Sequence, residues 1–311
     1  MTPVVELVGI TKHFYHPWTY RRIPALEDLS FAVQEGEVFG LIGHNGAGKT
    51  TTFKILTGLL RPSRGQVWWL GQKANGVSAR RLVGFAPEQP YFYDYLTVRE
   101  TLDFFGHLYG LPGSERRKRI LELAERFHLG AKLDARLRTL SKGNLQRVAV
   151  AQAILHKPKL AILDEPMSGL DPVGRRAMRE LIAQLGQEGT TVLFSSHVLS
   201  DAEMLCHRVG ILARGRLQDI VVLDGADSEL GYRLLLADVP ESLWAQWQER
   251  NDGTIEGTPQ RCSLVVRSAA QLRAVLAELA STTTRIESVA PVRTSLEERF
   301  LRHVPPEMLH D

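Results

Sequence analysis

Gly43-His44-Asn45-Gly46-Ala47-Gly48-Lys49-Thr50 fits the pattern G-x-x-x-x-G-K-[ST]. The apolar run Val38 to Ile42 stands directly before it and reads as a buried strand, and Lys49 to Leu59 follows with helical character. A strand that passes through a glycine-rich turn into a helix suits phosphate. The glycines let successive backbone N–H groups turn inward, Lys49 can reach the β- and γ-phosphates, and the Thr50 hydroxyl can ligate Mg²⁺. The helix dipole favours the same anion. A nucleotide is the ligand these residues announce.

Downstream, Leu160-Ala161-Ile162-Leu163 is a second apolar strand, and it ends in Asp164-Glu165-Pro166. Alone, an acidic pair after a strand is a common N-cap. Beside a phosphate loop it gains two roles: Asp164 can hold the Mg²⁺ water shell next to Thr50, and Glu165 can polarise a water for in-line attack on the γ-phosphate. Pro166 prevents simple continuation into helix. Between the two strands, Leu140-Ser141-Lys142-Gly143-Asn144 opens a helix, with Ser141 and the backbone around Gly143 able to face an anion.

The remaining elements alternate around these motifs. Strands are expected over Val4 to Ile10, Leu29 to Val33, Gln66 to Leu70 and Leu82 to Phe85, then helices over Thr97 to Tyr109 and Glu115 to Phe127. Helix Asn144 to His156, strand Leu160 to Leu163, helix Val173 to Leu185, strand Thr190 to Phe194 and helix Leu199 to Cys206 make the alternation of a parallel α/β sheet. Arg214-Gly215 joins Val209 to Ala213 and Leu217 to Val222 as a hairpin. Near Asp224-Gly225 the character changes. The domain expected to end there spans residues 1–225, with a helical subdomain over about 90–157. Residues 226–311 form a small α+β appendage: strands Tyr232 to Leu236, Ser263 to Val266 and Arg285 to Val289, and helices Glu241 to Arg250, Ala269 to Leu279 and Leu296 to Leu301. Asn251 to Pro259 reads as its loosest stretch.

With 311 residues, 44% of them hydrophobic, the chain can bury a full core. No apolar run approaches the roughly 20 residues of a membrane span, and the start lacks the regions of a signal peptide, so a cytoplasmic location is expected. Cys206 and Cys262 are too few for a disulfide framework and have no metal-site spacing. The net charge of +3 is spread over short clusters such as Arg116-Arg117-Lys118-Arg119, which read as solvated faces rather than a nucleic-acid site.

Phosphate loop, serine-led loop, acidic strand, Ser168-Gly169-Leu170-Asp171 and Ser195-Ser196-His197 follow in that order. Over residues 4 to about 222 the chain resembles the ATP-binding cassette (ABC) family. The resemblance implies an α/β ABC ATPase core, a parallel phosphate-loop sheet with an antiparallel β subdomain and a helical subdomain, to which the small C-terminal α+β domain is added. By this likeness Gly43 to Thr51, including Asn45, Gly46, Ala47, Gly48, Lys49, Thr50 and Thr51, match the Walker A loop. Leu160 to Glu165 match the Walker B strand, Ser141 to Asn144 the signature loop, and Ser168 to Asp171 the D-loop. His197 matches the switch histidine, which contacts the γ-phosphate and helps hold the attacking water, making Glu165 and His197 the expected catalytic pair. In such ATPases two cassettes meet head to tail, each ATP lying between the Walker motifs of one and the signature loop of the other. ATP and Mg²⁺ are the implied cofactors, and Ser141, Gly143, Asn144 and Asp171 the implied second half of the nucleotide site.

Three positions depart from the family pattern. Lys142 replaces a glycine and Asn144 a glutamine of the usual L-S-G-G-Q signature, and Glu88 stands where a glutamine normally follows the strand Val83 to Ala86. Glu88 could ligate Mg²⁺ or its water, or Gln89 could serve with a one-residue shift. The family usually stacks adenine on an N-terminal aromatic residue; Lys12-His13-Phe14-Tyr15 offers candidates, of which Phe14 is chosen, while Trp18 and Tyr20, in an apparent insertion, could instead be loop anchors. Tyr91-Phe92-Tyr93-Asp94-Tyr95 lies where related ATPases receive a coupling helix. The ending Ser295 to Leu301 looks like the tail of ATP-binding subunits of bacterial exporters with separate permeases. The partners so implied are a second cassette, as a homodimer, and an integral membrane permease that holds the chain at the inner face of the membrane; no nucleic acid is expected. A soluble ABC ATPase without transport, or a weakly hydrolysing regulatory cassette in a heterodimer, are the alternatives.

Overall fold

Apolar residues at alternate positions turn Val5–Tyr15 (β1) and Arg22–Val33 (β2) into an antiparallel pair whose register runs from Val5 opposite Val33 to Tyr15 opposite Arg22. In this computed structural model, which describes residues 3–73, 81–223, 229–250, 253–293 and 296–303, the expected insertion around Trp18 and Tyr20 is the turn of that hairpin. His16 organises it: its Nδ1 accepts the backbone N–H groups of Trp18 and Thr19, each at 3.3 Å. β3 (Val38–Ile42) is buried at every position and feeds α1 (Lys49–Leu56). The helix stops three residues before the expected Leu59, because Gly58 takes a left-handed φ of 70°.

β4 (Arg64–Trp69) and β5 (Gln72–Lys73) extend the first sheet to the order β2-β1-β4-β5. β6 (Val83–Ala86) enters a second sheet, and the helices α2 (Val98–Leu108), α3 (Gly113–Arg126) and α4 (Lys142–Ile154) follow it. Thr97 and Glu100 close α2 with a reciprocal capping box, and Ser141 caps α4 by accepting the Asn144 N–H. β7 (Leu160–Leu163), α5 (Pro172–Gln187), β8 (Thr191–Ser196), α6 (Leu199–Leu205), β9 (Arg208–Ala213) and β10 (Arg216–Val222) complete the first unit. The second sheet runs β10-β9-β3-β8-β7-β6; β6, β7, β8, β3 and β9 are parallel and β10 is antiparallel. Arg214 and Gly215, both at positive φ, make the tight turn into β10. The core between the sheets includes Leu7, Leu29, Phe39, Phe53, Leu160 and Leu193.

The chain divides into two compact units, Met1–Leu223 with Phe300–Asp311, and Asp224–Arg299. The expected boundary at Asp224-Gly225 and the start of the final motif at Ser295 lie outside the described residues. The second unit holds β11 (Glu229–Ala237), α7 (Glu241–Arg250), β12 (Gly253–Thr258), β13 (Arg261–Val266), α8 (Ala269–Leu279) and β14 (Arg285–Arg293); α9 (Leu296–His303) ends the described chain. Its four strands are antiparallel in the order β12-β13-β11-β14, over a core that includes Leu234, Leu236, Trp247 and Leu264. The stretch expected to be loosest is largely a strand. Gly253 to Thr258 pair residue for residue with Val266 back to Arg261, and the β-branched Thr254, Ile255 and Thr258 favour that conformation despite Gly253 and Gly257.

Candidate nucleotide site

The parallel strands deliver their loops to one edge of the sheet, where ligands of open α/β folds bind. β3 ends at Gly43, and Gly48 stands at the N-cap of α1 with φ 112°, a conformation that side-chain-bearing residues rarely adopt. No side chain caps α1, so its first N–H groups are open to an anion. His44 to Thr51 line a cleft of about 240 Å³ together with Ala25, Glu88 and Glu165. Gly43 does not line it but contributes its carbonyl oxygen, which accepts from Lys49 Nζ at 2.7 Å. The ammonium is also 3.3 Å from His44 O and 3.3 Å from Glu165 Oε1.

Opposite the loop, β7 brings Asp164 and Glu165 to the sheet edge. Asp164 is only 1% exposed, and Ser195, at the end of β8, holds it. The Ser195 hydroxyl donates to Asp164 Oδ1 at 2.7 Å and accepts the backbone N–H of Glu165 at 2.7 Å. Burial pushes the Asp164 carboxyl above its ordinary range; the hydroxyls of Ser195 and Thr50 pull it down, and the charges of Glu165 and Glu88 push it up again. Glu165 carries φ 46°, left-handed backbone for a residue with a side chain, and its two oxygens are divided: Oε1 faces Lys49, and Oε2 lies 2.8 Å from His197 Nδ1. Glu88, not Gln89, lines the cleft, and Ser168 Oγ donates to Glu88 Oε1 at 3.4 Å.

This geometry, a lysine in a phosphate loop facing an ordered carboxylate pair, agrees with what the sequence is similar to. The ABC transporter family model matches residues 26–168. An ABC transporter ATP-binding protein of Synechocystis sp. is 38% identical, over 97% of this chain and 84% of that protein. The chain belongs to the ATP-binding subunits of ABC transporters. The linearmycin resistance ATP-binding protein of Bacillus subtilis is 35% identical to this subunit, over 68% of it and 69% of the relative. Among solved structures, a dimeric cassette in a post-hydrolysis state with ADP and Pi is 28% identical and superposes with a TM-score of 0.65, covering 71% of the subunit and 99% of that cassette.

Not every residue expected at the site comes to the cleft of this ABC subunit. Ser141, Gly143 and Asn144 form the first turn of α4, where Asn144 Nδ2 donates to Ser141 Oγ at 2.9 Å. Asp171 is the N-cap of α5 and accepts the Gly174 N–H at 2.7 Å. None of the four lines the cleft. Phe14, on the β1–β2 hairpin, does not line it either; its ring is exposed and has Lys12 Nζ 5.3 Å from its centroid. Ala25 lines the cleft instead, from β2. Ser195 is the site residue that sequence reasoning passed over, although it sits inside the motif that contains His197. A polar pair closing an otherwise apolar strand was the available signal.

Proposed function

We propose that the subunit hydrolyses ATP in a head-to-tail dimer and thereby powers export through a separate membrane permease. The observation that carries the hydrolytic part is the division of Glu165 between Lys49 and His197. A carboxylate held through Oε2 by His197, its Oε1 in a 3.3 Å ion pair with Lys49 and without a hydrogen bond, can orient a water beside a phosphate cradle and accept its proton. When Nδ1 of His197 carries a proton, it donates to Glu165 Oε2; phosphate oxygens entering the loop compete with Glu165 for the Lys49 ammonium.

The donor set fits Mg²⁺. Thr50 and Asp164 offer hard oxygens that already meet, and the raised proton affinity of Asp164 is the electrostatic strain a cation relieves. No group of three or more His, Cys, Asp or Glu residues suited to hold a metal occurs among the described residues, which accords with an ion that keeps several waters and takes substrate phosphates as ligands. Thr50 and Asp164 would hold it, with Glu88 toward it or its water, and it would neutralise charge on the phosphates.

Ser141, Gly143, Asn144 and Asp171 do not line the cleft of their own chain, which supports a role toward nucleotide on a second copy. The post-hydrolysis relative is itself a dimer. Export is supported by the linearmycin-resistance relative and by the likeness of the motif Ser295 to Leu301 to the tails of exporter subunits. None of the described helices is long and apolar enough to cross a membrane, so the transport path is assigned to a permease, with the subunit attached to the inner membrane face. Tyr91 and Tyr93, 91% and 57% exposed, are the surface we assign to that permease. Phe92 differs from them: it is half-buried, with its ring edge-on to Phe105 at 5.9 Å.

Glu165→Gln tests the hydrolytic part. The amide keeps the shape but loses the proton acceptor, so ATP binding should persist, turnover should fall by roughly 10²-fold or more, and an ATP-bound dimer should accumulate. Turnover at the native rate, measured with the permease present, refutes the assignment.

A further inference from the structure

Two of the residues that break the family pattern, Glu88 and Lys142, flank the same turn. Ser168 donates its hydroxyl to Glu88 Oε1 at 3.4 Å. The next residue, Gly169, stands at φ 65°, and a Cβ built on it collides with Lys142 Nζ and lies 3.0 Å from Lys142 Cε and 3.4 Å from Cδ. The lysine stem therefore lies along bare backbone that only glycine leaves open. Leu170 continues the contact on the signature side, its Cδ2 being 3.6 Å from a Cβ built on Gly143. Asp171 then caps α5.

Lys142 is the first residue of α4, whose first turn contains no acidic side chain. A cation at that end opposes the helix dipole by about 0.3–1 kcal/mol, so the charge is not there to stabilise α4. Among the described residues it forms no ion pair. Its side chain is laid across the turn instead, and the carboxylate of Glu88 holds the same turn from the nucleotide cleft.

We propose that Lys142 is a positioning residue: with Glu88 it clasps the Ser168-Gly169 turn, so that the loop carrying Asp171 is registered at once to the nucleotide cleft and to the signature loop of the same chain. Side chains of opposite charge stand at the two ends of a path that runs Glu88, Ser168, Gly169, Lys142. The consequence for hydrolysis rests on the function proposed above; the clasp itself does not.

Two double-mutant cycles on the full chain test it. The first combines Lys142→Gly with Gly169→Ala and reads the melting temperature without nucleotide, then kcat and KM for ATP. With Lys142 present, the added methyl must displace the lysine as well as strain a left-handed backbone; once Lys142→Gly has removed that side chain, only the strain remains. Coupling between contacting residues is commonly severalfold to a hundredfold, so Gly169→Ala should lower kcat about tenfold in the native background and only about twofold beside Lys142→Gly, with KM changed by less than about twofold in both. Equal penalties in the two backgrounds overturn the contact. The second cycle combines Glu88→Ala, which removes the acceptor of the Ser168 hydroxyl, with Lys142→Gly and stays informative if Gly169→Ala does not fold. The double variant should retain at least about threefold more activity than the product of the single losses; strict multiplication overturns the clasp. A native chain that fails to hydrolyse ATP with its permease refutes the proposed function, whereas the melting-temperature coupling still decides the clasp.

Discussion

Ser195 and Asp164 are joined by a hydrogen bond of 2.7 Å, and the same serine oxygen accepts the Glu165 amide, so one hydroxyl at the end of β8 orders both acidic residues at the end of β7. Ser195→Ala removes the donor to Asp164 and leaves a buried N–H without its acceptor. Such a loss costs about 1–3 kcal/mol. The variant should melt lower and lose more in kcat than in KM, because the phosphate loop is untouched. A melting temperature equal to that of the native chain would show that the bridge contributes nothing.

For Asp164 the charged form is the costly one. Burial raises its proton affinity in the folded chain, so the folded state binds a proton more readily than the unfolded state does. The resulting penalty is absent at pH values where both states are protonated, grows as pH rises through the ordinary carboxylate range, and is complete above the raised value. Asp164→Asn should therefore melt higher than the native chain at pH 7, with the gain vanishing as the pH falls. At roughly 2–4 °C per kcal/mol in a unit of this size, differential scanning will resolve it. A lower melting temperature at pH 7 contradicts the reading.

His156 works in the opposite direction. Its ring stacks on Tyr109 at 3.7 Å, Nε2 meets Val83 O at 3.2 Å, and burial lowers its pKa from 6.5 to about 4. Between those values the unfolded chain takes a proton that the folded chain refuses, so stability is lost as pH falls from 6.5 toward 4. His156→Phe keeps the stack and removes the titration. Its unfolding free energy should fall less over that interval, by at most about 3 kcal/mol. Parallel pH profiles for the two proteins would exclude His156 as a source of acid lability.

The exposed tyrosines provide a test of partner binding. Tyr91→Ala with Tyr93→Ala should leave ATP affinity intact, since neither residue lines the cleft, and lower the melting temperature only by the loss of the exposed edge contact of Tyr93 with Phe104, yet abolish co-purification with the proposed permease. Phe92→Ala should lower stability more, because its ring is half-buried and packs edge-on against Phe105. Retained permease binding by the double tyrosine variant moves the docking surface elsewhere.

What the sequence made legible follows from the range of each interaction. The phosphate loop and the acidic strand are local patterns in which a few adjacent residues carry the chemistry, and Lys49 and Glu165 do face each other. Ser195 was hidden because its role is defined by Asp164, a residue far along the chain and on another strand. Glu88 and Gln89 are adjacent polar residues that sequence cannot rank; in the structure Glu88 lines the cleft and Gln89 does not. β12 escaped notice since its glycines mask a strand that is fixed by pairing with β13. The aromatic residues near Trp18 resembled an insertion because β1 and β2 run past the buried part of their sheet, where alternation no longer has a core to follow.

The left-handed backbone of Glu165, at φ 46°, gives this protein a particular evolutionary exposure. An ordinary residue gives up roughly 1–2 kcal/mol there, which glycine does not, and asparagine tolerates the conformation better than most. Gene copies freed from any need to turn over would thus be drawn toward glycine or asparagine at this position by fold stability alone. If Glu165 serves in the hydrolysis proposed above, a glutamate kept here is held for its carboxylate against the preference of the backbone, and a copy that no longer turns over ATP has no such reason to keep it.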